Sequence, residues 1–347
     1  MFTRPIVFVV GAGASKEYGL PTGVELKNEI ADDVRFRFEP LEHEPTSGSK
    51  ELFRVLKSEF GDNRTRYVKA GQRLSGAMSL HPSMDEALHY SADDPEIVEL
   101  GKIAIAHRVL DAERQSTLPS DDDPSALAKF NPSYSPTKNW LYHFLSMVIS
   151  GTRHADSAGV FKKVTVINFN YDRTVEHFLF LALQRSAALT EEQTREAIAS
   201  LTMLRPYGSL GPLPWQDRSA GLGYGGIQSP AGIIAASQNI RTFTEQFTDQ
   251  TIITDLEHAF YNAELIVFLG FGFHQQNVKL LSPGKGPRSI RPRRVLATGY
   301  KMDNENYREV EGSLENNLRA DDPARLFNMT ATGLLERLRP TIEKYVA

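Results

Sequence analysis

Residues 11–15, Gly-Ala-Gly-Ala-Ser, are the first place in the chain where residue type and spacing suggest chemistry. Glycines two apart let a backbone turn tightly and approach a ligand. A helix opening at that point offers free N–H groups and the positive end of its dipole to a pyrophosphate. Gly11, Ala12 and Gly13 would form the backbone cradle, Ser15 would add a hydroxyl donor, and a bulky residue at Gly13 should block a dinucleotide by crowding. The bland alternative is a tight strand-to-helix turn. The third glycine of a G-x-G-x-x-G motif is missing, because Lys16 stands there. A dehydrogenase would also place an acid at the end of a second strand about 20 residues on. Asp32 and Asp33 have that spacing, but Thr22–Asp33 reads as a helix, which argues against that enzyme class. No phosphate-binding G-x-x-x-x-G-K-[ST] occurs either.

Three later clusters also follow apolar runs. They are Asn168-Phe169-Asn170-Tyr171-Asp172, Tyr207-Gly208-Ser209 and Leu269-Gly270-Phe271-Gly272-Phe273. Taken alone, Asn170 and Asp172 read as helix caps and Tyr207 as a packed aromatic. Gly270 and Gly272 could admit a dinucleotide at a strand's carboxyl end, with Asn277 nearby. His81, His89 and His274 share no metal-ligand spacing. Lys285, Arg288, Arg291, Arg293 and Arg294 form a local basic cluster, read first as a solvated loop and second as a phosphate or partner contact.

The elements that must position these residues are legible from periodicity. Pro5–Val10 is an apolar, β-branched run that suits a strand buried on both faces. Val164–Phe169, Thr202–Tyr207, Leu265–Leu269 and Arg294–Thr298 look alike, the second of these being weaker. Helical spacing lies between them, as in Tyr171–Arg185, and Thr190 to Gln193 form a capping box that opens another helix. Alternating strands and helices predict an α/β fold, a Rossmann-like parallel sheet flanked by helices. Residues 22–157 lack a convincing strand but carry helical patterns at Glu51–Phe60, Met84–Tyr90, Pro95–Gln115 and Lys138–Ile149. They read as a helical insertion after the first strand, within a sheet domain of residues 1–21 and 158–300. Residues 301–347 are expected to be helices packing on that core.

Composition closes several other routes. With 41% hydrophobic and 24% charged residues the chain is an ordinary globular one. Its 39 basic and 43 acidic residues leave no global field for nucleic acid or a membrane. Cysteine is absent, so disulfides, thiolate zinc sites and cysteine nucleophiles are impossible. Ile6–Val10 is too short for a signal-peptide core, and Leu265–Phe273 falls short of the ~20 residues of a spanning helix. A cytoplasmic location is expected.

The run Gly11-Ala12-Gly13-Ala14-Ser15 followed by Gly19-Leu20-Pro21 resembles the first motif of the sirtuin (silent information regulator) superfamily. Asn168 to Asp172 is similar to its second motif, which reads threonine-asparagine-tyrosine-aspartate in the bacterial sirtuin-like NAD hydrolases. Tyr207-Gly208-Ser209 stands where the family has histidine-glycine-serine, and residues 269–273 resemble its late glycine turn. Ser83 to Leu88 is similar to a segment of its helical insert. The chain lacks the four-cysteine zinc module of the deacylating members, and Thr22-Gly23-Val24 replaces their aspartate-phenylalanine-arginine. The resemblance is therefore to the zinc-free branch, associated in bacteria with depleting NAD during phage infection.

This resemblance implies hydrolysis of NAD to nicotinamide and ADP-ribose, with no zinc. Asn170, Asp172 and Tyr207 would be the catalytic positions. Gly11, Ala12, Gly13, Ser15, Gly208, Ser209, Gly270, Phe271 and Gly272 would bind the dinucleotide. Asn170 would orient water or a ribose hydroxyl, and Asp172 would accept from the carboxamide. A tyrosine, with its reference pKa of ~10 against ~6.5 for histidine, is a poor base at neutral pH. The alternative is a non-catalytic NAD or ADP-ribose sensor on the same fold. The family also implies self-association and, for small members, a second protein such as a DNA-translocating ATPase or an Argonaute.

Overall fold

Five-residue apolar runs become central strands here because a parallel strand is covered on both faces. The computed structural model describes residues 2–132, 139–243, 245, 250–281, 293–318 and 320–346. Strands β1 (Ile6–Val10), β2 (Val164–Asn168), β3 (Thr202–Leu204), β4 (Leu265–Leu269), β5 (Arg294–Thr298) and β6 (Arg325–Phe327) form one all-parallel sheet in the order β3-β2-β1-β4-β5-β6. The α/β, Rossmann-like reading is correct. β6 was not foreseen: residues 301–347 supply a sheet strand as well as helices, and a three-residue edge strand leaves little pattern to read.

The helices are α1 (Ala12–Ser15), α2 (Gly23–Asp33), α3 (Lys50–Phe60), α4 (Arg64–Leu80), α5 (Met84–Tyr90), α6 (Pro95–Gln115), α7 (Ala126–Lys129) and α8 (Trp140–Val148). They continue as α9 (Thr174–Ser186), α10 (Glu191–Ala199), α11 (Pro230–Gln238), α12 (Gln250–Asn262), α13 (Gln275–Leu280), α14 (Asn304–Leu318) and α15 (Ala331–Val346). Side chains alternate between the two faces of the sheet, as the period of two requires. Ile6, Phe8 and Val10 pack with α8, α9 and α15 on one face. Val7 and Val9 pack with α12 and α14 on the other. Phe8 meets the edge of Phe144 at 5.0 Å, so α8 belongs to the sheet's core although it precedes β2.

A third apolar cluster lies within the helices after β1. It joins α2 to α6, and α11 with Leu210 and Ile240 folds back onto it. The helical body is thus assembled from both sides of β2, which differs from an uninterrupted insertion over 22–157. Its attachment to the sheet is polar and buried. Glu113 of α6 accepts from the backbone N–H (2.8 Å) and guanidinium (2.5 Å) of Arg173, which also donates to the Leu222 carbonyl at 2.5 Å. Arg173 and Glu113 are each 1% exposed, so a charged pair fixes the helices over the ends of β2 and β3.

Strand register sets up the site. Val10 lies beside both Asn168 and Leu269, so the turns after β1, β2 and β4 leave the sheet at the same level. Strand order reverses between β1 and β4, the place where open parallel sheets take ligands at their carboxyl ends.

Candidate functional site

A cavity of about 330 Å³ opens at that point of reversal. Its floor is formed by Gly11, Ala12 and Gly13 after β1 and by Gly270, Phe271 and Gly272 after β4. Phe169 to Asp172 and Tyr207 form one wall, and Thr22, Gly23, Val24, Leu26, Met84, Asp85 and Val109 bring the helical body over the other. Such a mostly apolar concavity with a few polar groups is the usual form of a small-molecule site.

The glycines on the floor are required by the protein itself. Gly11 N–H donates to Leu269 O (3.0 Å), Gly13 N–H to Gly270 O (2.9 Å) and Ala14 N–H to Gly11 O (2.9 Å). A Cβ at Gly11 would stand 2.7 Å from Gly270 O, and one at Gly13 would stand 2.9 Å from Gly270 Cα. Gly270 has φ +59°, and its Cβ would meet Ala14 N at 2.1 Å. The two turns therefore interlock backbone to backbone. This geometry bears on two expectations. The N–H groups of Gly11 and Gly13 are already used, leaving that of Ala12 as the turn's donor to a ligand among the described residues. A valine at Gly13 would collide with Gly270 before it met any dinucleotide.

Ser15 is also engaged internally. It is 4% exposed, donates to Asp172 Oδ2 at 2.8 Å and accepts from Asn170 Nδ2 at 2.8 Å. The hydroxyl expected to hold a phosphate instead joins the first glycine turn to the turn after β2. Asn170 Nδ2 also donates to Gly11 O at 3.1 Å, and the Asn170 N–H donates to Asn168 Oδ1 at 3.0 Å. With its amide nitrogen facing inward, Asn170 makes no hydrogen bond through Oδ1 among the described residues, and it lines the cavity. Asp172 Oδ1 accepts from the Thr174 N–H at 3.1 Å, so the turn-forming role open to it from sequence is real, yet Asp172 still borders the cavity.

Tyr207 is 2% exposed and lines the wall, with its hydroxyl donating to Asn277 Oδ1 at 2.6 Å. Its ring lies 5.9 Å from Phe169 and 6.2 Å from Tyr171. Gly208 and Ser209 fall elsewhere. They border a separate open depression with Arg205, Asn239 and Trp215, and Gly208 bridges Ile240. The positive φ of +71° and a Cβ position 2.0 Å from Asn239 O explain Gly208 as a packing glycine.

Sequence reasoning missed two residues at this site. Arg205 donates to the Asn170 carbonyl at 2.8 Å and is clamped by Glu176 at 2.5 and 2.6 Å, so it fixes the loop that carries Asn170. Asp85, at the start of α5, accepts from Tyr171 Oη at 3.0 Å. Burial at the cavity wall pushes its carboxyl up to about 6, against the lowering effect of that hydrogen bond. No local pattern marks Arg205, and the Ser83–Leu88 motif did not single out Asp85, because both act across the fold.

The other candidates separate from the site. His81 packs on Tyr90 (4.9 Å) and His89 on Phe243 (5.4 Å), while His274 borders the cavity. No group of three or more His, Cys, Asp or Glu among the described residues could hold a metal. Of the basic cluster, Lys285, Arg288 and Arg291 lie outside the described residues. Arg293 is buried, donating to Ala263 O and Phe260 O, and Arg294 pairs with Asp322 at 2.5 Å, so neither builds an open basic patch. No described helix is long and apolar enough to cross a membrane. No protein-family profile and no curated protein sequence matches the chain.

Proposed function

We propose that this cavity binds NAD and hydrolyses its N-glycosidic bond, giving nicotinamide and ADP-ribose. The observation that carries the reading is the Ser15–Asn170–Asp172 hydrogen-bonded group. It unites two motifs more than 150 residues apart that separately resemble the sirtuin-like hydrolases, at the edge of one cavity. Nicotinamide leaves as a neutral molecule once the ribose bond breaks, so no general acid is needed. The remaining tasks are to hold the dinucleotide, stabilise an oxocarbenium-like transition state and deliver water to the anomeric carbon. Asn170, which lines the cavity and makes no hydrogen bond through Oδ1 among the described residues, is suited to orient that water or a ribose hydroxyl, and the interlocked turns provide a floor for the pyrophosphate. Tyr207, held by Asn277, supports the wall and takes no proton. The chain holds no cysteine for a zinc module.

On this reading the biological role is depletion of NAD in bacterial defence against phage. The active form would be a cytoplasmic homo-oligomer, alone or with a second protein such as a DNA-translocating ATPase or an Argonaute. The alternative, a sensor that binds NAD or ADP-ribose without cleaving it, is favoured by the tyrosine at position 207. Incubating the purified protein with NAD and following nicotinamide and ADP-ribose by chromatography separates the two. Equal release of both products is expected. Binding of ADP-ribose without any release would move the conclusion to the sensor.

A further inference from the structure

We infer that Asp85, carried by the helical body, is the proton acceptor for the attacking water, the task that Tyr207 cannot perform. The inference rests on the NAD-hydrolase reading and deepens it. Ser83 caps α5 by accepting from the Glu86 N–H at 3.1 Å, and Met84, Ala87 and Leu88 anchor the helix in the apolar cluster beneath. That anchoring leaves Asp85 at the cavity wall, where Tyr171 Oη holds its carboxyl at 3.0 Å. Tyr171 sits between Asn170 and Asp172, so the opposite wall is tied to the short loop that carries both. Asp172 is differently placed, with one oxygen on Ser15 and the other on the Thr174 N–H. Asp85 is thus the cavity carboxyl whose geometry leaves it able to accept.

The reaction balances with Asp85 in this role. The bond from the anomeric carbon to the nicotinamide nitrogen breaks and its electron pair leaves with nicotinamide. A water oxygen bonds to the anomeric carbon, and the proton that water sheds passes to the Asp85 carboxylate and then to solvent. A base acts best when its pKa lies near the working pH, and burial holds this carboxyl at about 6. The groups around it are few. Glu86 on its own helix raises it further, Tyr171 and Asp172 face the cavity from the loop after β2, Tyr207 from the loop after β3 and His274 from the loop after β4. Among the described residues α2, α4 and α6 bring no charged side chain to the cavity, and neither lysine nor arginine lines it.

The test is the pH dependence of kcat and KM for NAD in wild type, Asp85→Asn and Asp85→Glu between pH 5 and 8. Wild-type turnover is expected to fall below about pH 6. Asp85→Asn should lower kcat by about 10²–10⁴-fold, leave KM nearly unchanged and abolish the acid limb, and Asp85→Glu should restore part of the rate together with the limb. Undiminished kcat in Asp85→Asn, or a change confined to KM, would overturn the assignment while leaving NAD hydrolysis intact. Absence of cleavage by wild type would instead remove the hydrolase reading and this inference with it. Should Asp85→Asn fail to fold, Tyr171→Phe serves: loss of the phenol donor should move the acid limb to higher pH, and an unmoved limb would refute the role.

Discussion

Asn170→Ala probes the site at its most connected point, because one side chain serves both the scaffold and the cavity. The substitution deletes donation to Gly11 O at 3.1 Å and to Ser15 Oγ at 2.8 Å. Each bond contributes about 0.5–1.5 kcal/mol net, so the expected loss of stability is about 1–3 kcal/mol. For a chain of 347 residues unfolding as one unit, that corresponds to a fall in Tm of about 1–4 °C. Gly11 O can still accept from Ala14 N–H, and Ser15 still donates to Asp172, so neither group is stranded. The variant should therefore fold. Removing one preorganised polar group from an active site costs about 10²–10³-fold in kcat, and Oδ1 is lost with the rest of the amide. Thermal melting and nicotinamide release, measured on the same preparation, separate the two effects. A folded Asn170→Ala protein with wild-type kcat would refute the catalytic argument. A Tm lowered by more than 10 °C would refute the stability estimate and make Asn170 chiefly a structural residue.

Gly270→Ala should abolish stable folding or collapse the cavity, since its Cβ would meet backbone at 2.1 Å with φ at +59°, whereas Gly23→Ala at the rim meets nothing within 4 Å and should raise Tm slightly; urea melts of the pair check the contrast. Arg173→Met leaves Glu113 buried without its charge partner and should cost about 3–5 kcal/mol in denaturant unfolding, with a near-wild-type midpoint counting against the view that this pair attaches the helices. Tyr207→Phe removes the hydrogen bond to Asn277, which should lower stability by about 0.5–1.5 kcal/mol while turnover is largely kept, and a total loss of turnover with NAD still bound would make the phenol a direct participant.

How much of this was legible in sequence depends on where each signal resides. β1, β2, β4 and β5 were readable because strands buried on both faces are largely apolar, and the capping box at Thr190 announced α10 locally. α4 escaped because small and polar residues, Ala70, Gly71 and Ser75, interrupt the apolar series Tyr67, Leu74 and Met78 on its buried face. Gly71 is needed there, since a Cβ would stand 2.3 Å from Val34 O. The glycine motifs fall at the floor of one cavity, while Ser15 and the N–H groups of Gly11 and Gly13 hydrogen-bond within the protein. Sequence shows that a glycine is present without showing whether a ligand or another turn presses on it. Asp85 lay within a motif already noticed, yet only packing decides that Asp85 and not Glu86 borders the cavity.

The interlock between residues 11–14 and Gly270 divides the molecule into parts that can be altered at different cost. A floor made of main chain offers almost no side chain through which affinity or rate could be adjusted, and Gly11, Gly13 and Gly270 leave no room for a Cβ. Adjustable chemistry lies in what surrounds and overhangs the floor, namely the turn at Asn170–Asp172, Tyr207, α2, α5 and Val109 of α6. Exchanging those helices for others of similar length amounts to changing the tool while keeping the bench. An engineer seeking a different substrate from this scaffold would leave the sheet untouched and redesign residues 22–26 and 82–88.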